Sequence, residues 1–201
     1  MTNNDAYDEL AFIKQIMEQT RTETLDKGVG FIMWGVLATL GLLITYFSVI
    51  YNFSYVQFWA WIILIGGGWL ATIIYSIKNK SEKPKPFAQK IVDSVWISVG
   101  IVMTIVGFIG TTTGAVSGAF LSPFIALQLG IGFFVTGVIF NAKSIYYLSF
   151  GWWLGAIIMM IYPGFYSILL LAAMIFFLQV APGINIYRKF KNNTVLANEK
   201  L

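Results

Sequence analysis

Residues 78–90 read KNKSEKPKPFAQK, five lysines and two prolines set between two long apolar runs. Pro84 and Pro86 hold the stretch open, because the residue before a proline is pushed out of the helical region. The run before it, 55–77, and the run after it, about 88–111, each exceed the ~20 residues a helix needs to cross the ~30 Å hydrocarbon layer of a bilayer. The stretch is therefore a polar loop between two membrane spans. Its lysines also decide which way the spans face, since Lys and Arg concentrate in cytoplasmic loops.

The composition agrees. Of 201 residues, 58% are hydrophobic, 17% aromatic and only 11% charged, whereas soluble domains carry about 25% charged and about 45–50% apolar residues. Mean hydropathy is +0.75. The chain has no cysteine and no histidine. That excludes disulfides, Cys/His zinc sites, histidine-held haem and Ser-His or Cys-His nucleophile pairs. Paired carboxylates inside the apolar runs, H-E-x-x-H and a Walker A loop are also missing, and Gly66-Gly67-Gly68 lies within a membrane run rather than a phosphate loop. The expectation is a non-enzymatic protein with no cofactor and no metal. A pI near 9.2 would suit nucleic acid, but the basic residues sit at the ends of apolar runs, where membrane anchoring puts them. The expected partner is the lipid bilayer, and no nucleic acid.

Six spans follow, at about 28–50, 55–77, 88–111, 123–141, 144–162 and 165–187. They predict an all-α integral membrane protein built as three hairpins, 28–78, 91–143 and 144–188. Pro123 is expected to open span four, where its missing N–H costs nothing. Asn141-Ala142-Lys143-Ser144 divides spans four and five, because 123–162 as one helix would run about 60 Å, twice the bilayer. Pro163-Gly164 divides spans five and six. All thirteen Lys and Arg residues fall in the N-terminal segment, the 78–90 loop, the 141–144 turn or the C-terminal tail. None falls at 51–54, 111–123 or 162–166. Both termini are thus expected in the cytoplasm, which requires an even number of spans. The domain plan is 1–27 as a cytoplasmic helix, 28–188 as the membrane domain and 189–201 as a basic cytoplasmic tail.

Residues 5–25 predict an amphipathic helix. Asp8 and Glu9 lie in its first turn, where the helix dipole favours negative charge. Ala6, Leu10, Ile13 and Met17 keep helical spacing, widened by Phe12 and Ile16. This segment is too polar to span and lacks the basic-then-apolar order of a signal peptide. Residues 1–27 carry six acids against Lys14, Arg21 and Lys27, a net charge of −3, so anionic lipid would repel them. The sign suits docking on Lys78, Lys80, Lys83, Lys85 and Lys90 and on the basic tail. A cytoplasmic protein partner is the rival occupant.

The segment ELAFIKQIMEQTR (Glu9–Arg21), followed by GVGFIMWG (Gly28–Gly35), resembles the start of small bacterial six-span membrane proteins that carry an L-x-x-I-x-x-x-M-E helix before their first span. Leu10, Ile13, Met17 and Glu18 carry the match, which covers about a fifth of the chain. The resemblance implies a bacterial inner (plasma) membrane protein. It carries no activity and no functional residues across.

Within the spans, polar and small residues mark the candidate sites. Asp93 is the one ionisable group well inside an apolar run, and such acids mark functional sites by default. Two readings stand: an interfacial pair with Lys90, Lys143 or Arg188, or a proton or cation site. Gln179 lies one turn before Pro182-Gly183 and is placed to satisfy the backbone carbonyl that the proline frees. Asp93, Asn141 and Gln179 together could instead line a half-channel open to the cytoplasm. Spans two and four share G-x-G-aromatic-x-x-T: Gly66, Gly68, Trp69 and Thr72 match Gly130, Gly132, Phe133 and Thr136. Gly151 and Gly155 form a GxxxG pair, a motif for close helix packing. That face suits contact inside the bundle or with a second copy in a homo-oligomer. Gly110, Gly114 and Gly118 repeat the spacing across the uncharged connection. The leading expectation is an accessory or regulatory membrane protein. The alternative is a small transporter or channel with a polar site near Asp93.

Overall fold

The computed structural model describes residues 28–78 and 86–198. The expected amphipathic helix at 5–25, and Lys80, Lys83 and Lys85 of the lysine loop, lie outside the described residues. Within them the chain is helical, with six helices long and apolar enough to cross a membrane. The elements are α1 (Val29–Ile50), α2 (Ser54–Lys78), α3 (Phe87–Thr104) with a π-helical turn at Ile105–Gly110, α4 (Gly118–Ile139), α5 (Lys143–Ile161), α6 (Tyr166–Ile175), a second π turn at Phe176–Val180, and α7 (Ala181–Asn198). The last span is α6, its π turn and the start of α7, ending at Arg188.

Two boundaries differ from those read off the sequence. The fourth span starts at Gly118, not at Pro123, which sits buried inside the helix. The connection before it is short because residues 111–113, all threonine, fold their hydroxyls back onto the last carbonyls of α3's π turn. Thr112 donates to Phe108 at 2.5 Å, Thr113 to Ile109 at 2.7 Å, and Thr111 to Gly107. Gly114 then turns the chain with φ +74°, and the Val116 N–H closes onto the Gly110 carbonyl at 2.8 Å. Gly110, Gly114 and Gly118 therefore end a helix, make a turn and start a helix, rather than forming one packing stripe. The C-terminal difference is that α7 continues to Asn198. After Gly183 no glycine or proline stops it, so the basic tail prolongs the last span as a helix.

Asn52 and Asn141 close α1 and α4 in the same way. Both adopt positive φ, 58° and 47°. In each case the next N–H reaches back over the turn, Phe53 to Ser48 at 2.8 Å and Ala142 to Gly137 at 2.9 Å. This left-handed cap satisfies carbonyls that a helix end leaves bare, and asparagine tolerates the conformation better than most residues.

Three contacting pairs run antiparallel. On α4, Gly130 meets Trp153 and Gly137 meets Tyr146 of α5, so numbers rise on one helix as they fall on the other. The same holds for α5 and the last span, where Gly155 meets Met174 and Gly151 meets Leu178. It holds again for α1 against the last span, where Gly35 meets Val180 and the Tyr46 and Phe165 rings stack at 4.3 Å. The core lies among α4, α5, the last span and α1: Trp152, Phe133, Ala126, Ala156, Met159 and Leu171 are almost wholly enclosed. By contrast α2 and α3 are peripheral. Only 6% of each is buried, against 39% of α4, 33% of α5 and 44% of the last span. Their outward faces hold Ile63, Leu70, Ile77, Ile97 and Ile109, all exposed, as a lipid-facing helix would present.

Candidate functional site

The polar chemistry between the helices is organised by tryptophans. Trp34 of α1 donates its indole N–H to the Thr72 hydroxyl of α2 at 3.1 Å. Thr72 in turn donates to the Gly68 carbonyl one turn back, at 2.8 Å. The indole ring lies where a side chain on Gly68 would be, 2.9 Å from that position. In the next pair, Trp96 of α3 donates to Thr136 of α4 at 3.0 Å, Thr136 donates to Gly132 at 2.7 Å, and the ring lies 3.2 Å from where a side chain on Gly132 would start. An aromatic packs edge-on against each tryptophan from the same helix as the threonine, Trp69 at 5.7 Å and Phe133 at 5.6 Å. A third unit runs the other way: Trp61 of α2 donates to Thr45 of α1 at 2.9 Å, and Thr45 donates to Gly41 at 2.8 Å.

The chemistry needs these three residue types. Indole is a donor only, whereas a hydroxyl donates once and accepts twice. Threonine spends its proton on its own helix and keeps a lone pair for the neighbour. Glycine one turn earlier gives the ring room, and close approach is what drives helix association in lipid. The G-x-G-aromatic-x-x-T match of spans two and four is the receiving half of this unit. The donating half, Trp34 and Trp96, is not evident from the receiving motif alone. The available signal was distance: each stands 38 or 40 residues before its threonine.

The sequence-predicted polar residues fall in three places. Asp93, half-buried on α3, accepts from the Gln89 Nε2 at 2.5 Å, one turn earlier. Gln179 is buried in the π turn of the last span, and its Nε2 donates to the Phe31 carbonyl of α1 at 3.3 Å. The expected partner, a carbonyl of its own helix freed by Pro182, is not the one it takes. The π turn just before the proline resets the register there, a common accompaniment of helix kinks, and leaves the amide free to reach across. Asn141 is exposed in its cap. Asn141 serves the α4 turn. Between Gln179 and the Asp93 helix stands Phe31, whose ring packs on Trp96 and Phe133, both at 5.4 Å.

The small residues divide as sharply. Gly68, Gly130, Gly132 and Gly155 each lie under a neighbouring side chain, a side chain started on Gly151 would come 3.3 Å from Leu178, and Gly66 faces open space. The Gly151–Gly155 face is occupied by the last span. Close contacts also occur at glycines the sequence reading did not select. Gly137 lies against the Tyr146 backbone, 2.5 Å from where a side chain would start, and Gly28, Gly35 and Gly183 bring α1 onto the last span. Gly28 and Gly35, one heptad apart, were the available signal. Of the loop lysines, Lys78 and Lys90 are exposed at the ends of α2 and α3, as are Lys143 and Arg188 elsewhere.

Two hollows among the described residues are on the outer surface. One, about 310 Å³, lies between Leu40 and Val56 at the α1–α2 turn. The other, about 490 Å³, runs along α3 beside Ile131. Neither is lined by Asp93, Asn141 or Gln179. No family model, curated protein or solved structure matches the chain.

Proposed function

We propose that this chain is a non-enzymatic accessory or regulatory protein of a bacterial inner membrane, with six spans in three hairpins and both termini cytoplasmic. The acidic helix at 5–25 rests on the basic cytoplasmic face that Lys78, Lys90, Lys143 and Arg188 help to form. A cytoplasmic protein is its alternative partner, and a second copy can add on the exposed faces of α2 and α3. The observation that carries this reading is how the interior is used. The indoles of Trp34, Trp61 and Trp96, their threonines and Gln179 spend their polar groups between helices, and the two surface hollows are not lined by Asp93, Asn141 or Gln179.

A small transporter or channel is the second reading. Its support is three buried polar atoms without a hydrogen-bond partner among the described residues: the Oε1 atoms of Gln89 and Gln128 and the indole Nε1 of Trp152 in the core. Buried polar atoms of this kind are where water or a substrate settles. Flux assays on proteoliposomes separate the two. The accessory reading expects proton and potassium fluxes equal to those of empty vesicles. A protein-dependent flux abolished by Asp93→Asn would overturn it in favour of the second.

A further inference from the structure

The groove along α3 has a chemistry that the other hollow lacks. Its floor is apolar, made by Ile91, Val95 and Val99 of α3 and Ile131 of α4. Ser94 and Ser98 also line it, but their hydroxyls are spent on the Lys90 and Ser94 carbonyls, each at 2.8 Å. At one end stand Phe87, 78% exposed, and the exposed ammonium of Lys90. From Lys90 to Val99 the helix rises about 14 Å, close to half the ~30 Å hydrocarbon layer. The groove is thus one leaflet deep, greasy along its length and cationic at the headgroup level. The hollow at the α1–α2 turn is lined by Leu40, Leu43, Ile44 and Phe47 with no charged residue.

We infer that the α3 groove is a binding site for an anionic phospholipid, one acyl chain lying along Ile91, Val95 and Val99 and the phosphate meeting Lys90. The inference rests on the membrane reading above. An aromatic and a lysine at the mouth match the interface, where rings and cations anchor to headgroups. Basic residues beside a gap between spans on the cytoplasmic side are a recurring headgroup site. Neutral lipid fills the α1–α2 hollow equally well and gains nothing from charge there.

The test is native mass spectrometry of the full chain, released from detergent with phosphatidylglycerol or phosphatidylcholine of identical chains. The wild type should retain phosphatidylglycerol preferentially. Lys90→Gln should lower that retention about fivefold, the ~1 kcal/mol that one lysine near an anionic surface is worth. Lys90→Arg should keep it, and Lys143→Gln, an exposed lysine outside the groove, should leave it unchanged. Val95→Trp should block the site by filling its floor, whereas Leu43→Trp in the other hollow should not. Lys90 is exposed, so an unchanged melting temperature without added lipid certifies the fold of its variants. Equal retention of the two lipids by the wild type, or equal losses from Lys90→Gln and Lys143→Gln, would overturn the inference. A chain that stayed soluble without detergent and retained neither lipid would overturn the membrane reading itself.

Discussion

The α1–α2 pair and the pair formed by α5 with the last span are both antiparallel, and they are held by different means. The first uses two reciprocal Trp–Thr hydrogen bonds, each with a ring seated over a glycine. The second uses Gly151 and Gly155 under Leu178 and Met174, with no such bond among the described residues. Position explains the difference. α2 touches the rest of the bundle along one side only, so its pairing with α1 gains from a directional bond. α5 is more buried than α2, and among the described residues it meets the last span by fit without such a bond.

That contrast predicts an order of sensitivity to substitution, largest first. Gly137→Ala should be the most damaging. Its methyl would meet the Tyr146 backbone, which cannot swing aside. We expect about 3 kcal/mol, at the upper end of overpacking costs, measured by unfolding in mixed micelles. Gly155→Ala should cost less, about 2 kcal/mol, because the obstruction is the flexible end of Met174, which can turn away. If the two cost the same, fit is not what distinguishes these contacts. Next come the hydrogen bonds. Thr136→Val, at a buried threonine, should cost about 1.5 kcal/mol, and Thr72→Val, half-buried, about 0.6 kcal/mol, within the range known for interhelical bonds in lipid. A double-mutant cycle of Trp34→Phe with Thr72→Val should show coupling of about that size. Smallest of all is Gly66→Ala, which faces open space and should stay within about 0.5 kcal/mol of the wild type.

The spans were legible because each apolar run is long and its limits are marked by lysine, asparagine or proline-glycine. Lys78, Asn52, Asn141 and Pro163-Gly164 all fall at or beside helix ends. What misled was local reasoning about proline. Pro123 suits a helix start in isolation, but the turn at 113–117 sets the start five residues earlier. Pro182 suggested a partner for Gln179 in its own helix, yet a π turn absorbs the break. The tryptophan units were half visible. The glycine and threonine lie on one helix at one-turn spacing and form a pattern, whereas the indole arrives from another helix some forty residues away. Gly28, Gly35 and Gly183 were hidden for the same reason: their use depends on the first and last spans meeting, which no local pattern states. In the candidate site, Asp93, Asn141 and Gln179 were grouped by polarity. Two of them serve the backbone, one as a cap and one as a cross-brace.

The accessory reading proposed above requires that no water path reach the inner polar residues of the bundle. The absence of cysteine allows a direct test with single substitutions. Gln179→Cys, Asp93→Cys, Asn52→Cys and Asn141→Cys would be challenged in intact membranes with a membrane-impermeant thiol reagent applied from either side. Asn52→Cys should react from outside and Asn141→Cys from the cytoplasmic side, while Gln179→Cys stays silent from both and Asp93→Cys reacts slowly at most. Labelling of Gln179→Cys at a rate near that of the turn positions would contradict the account and require a hydrated route through the bundle.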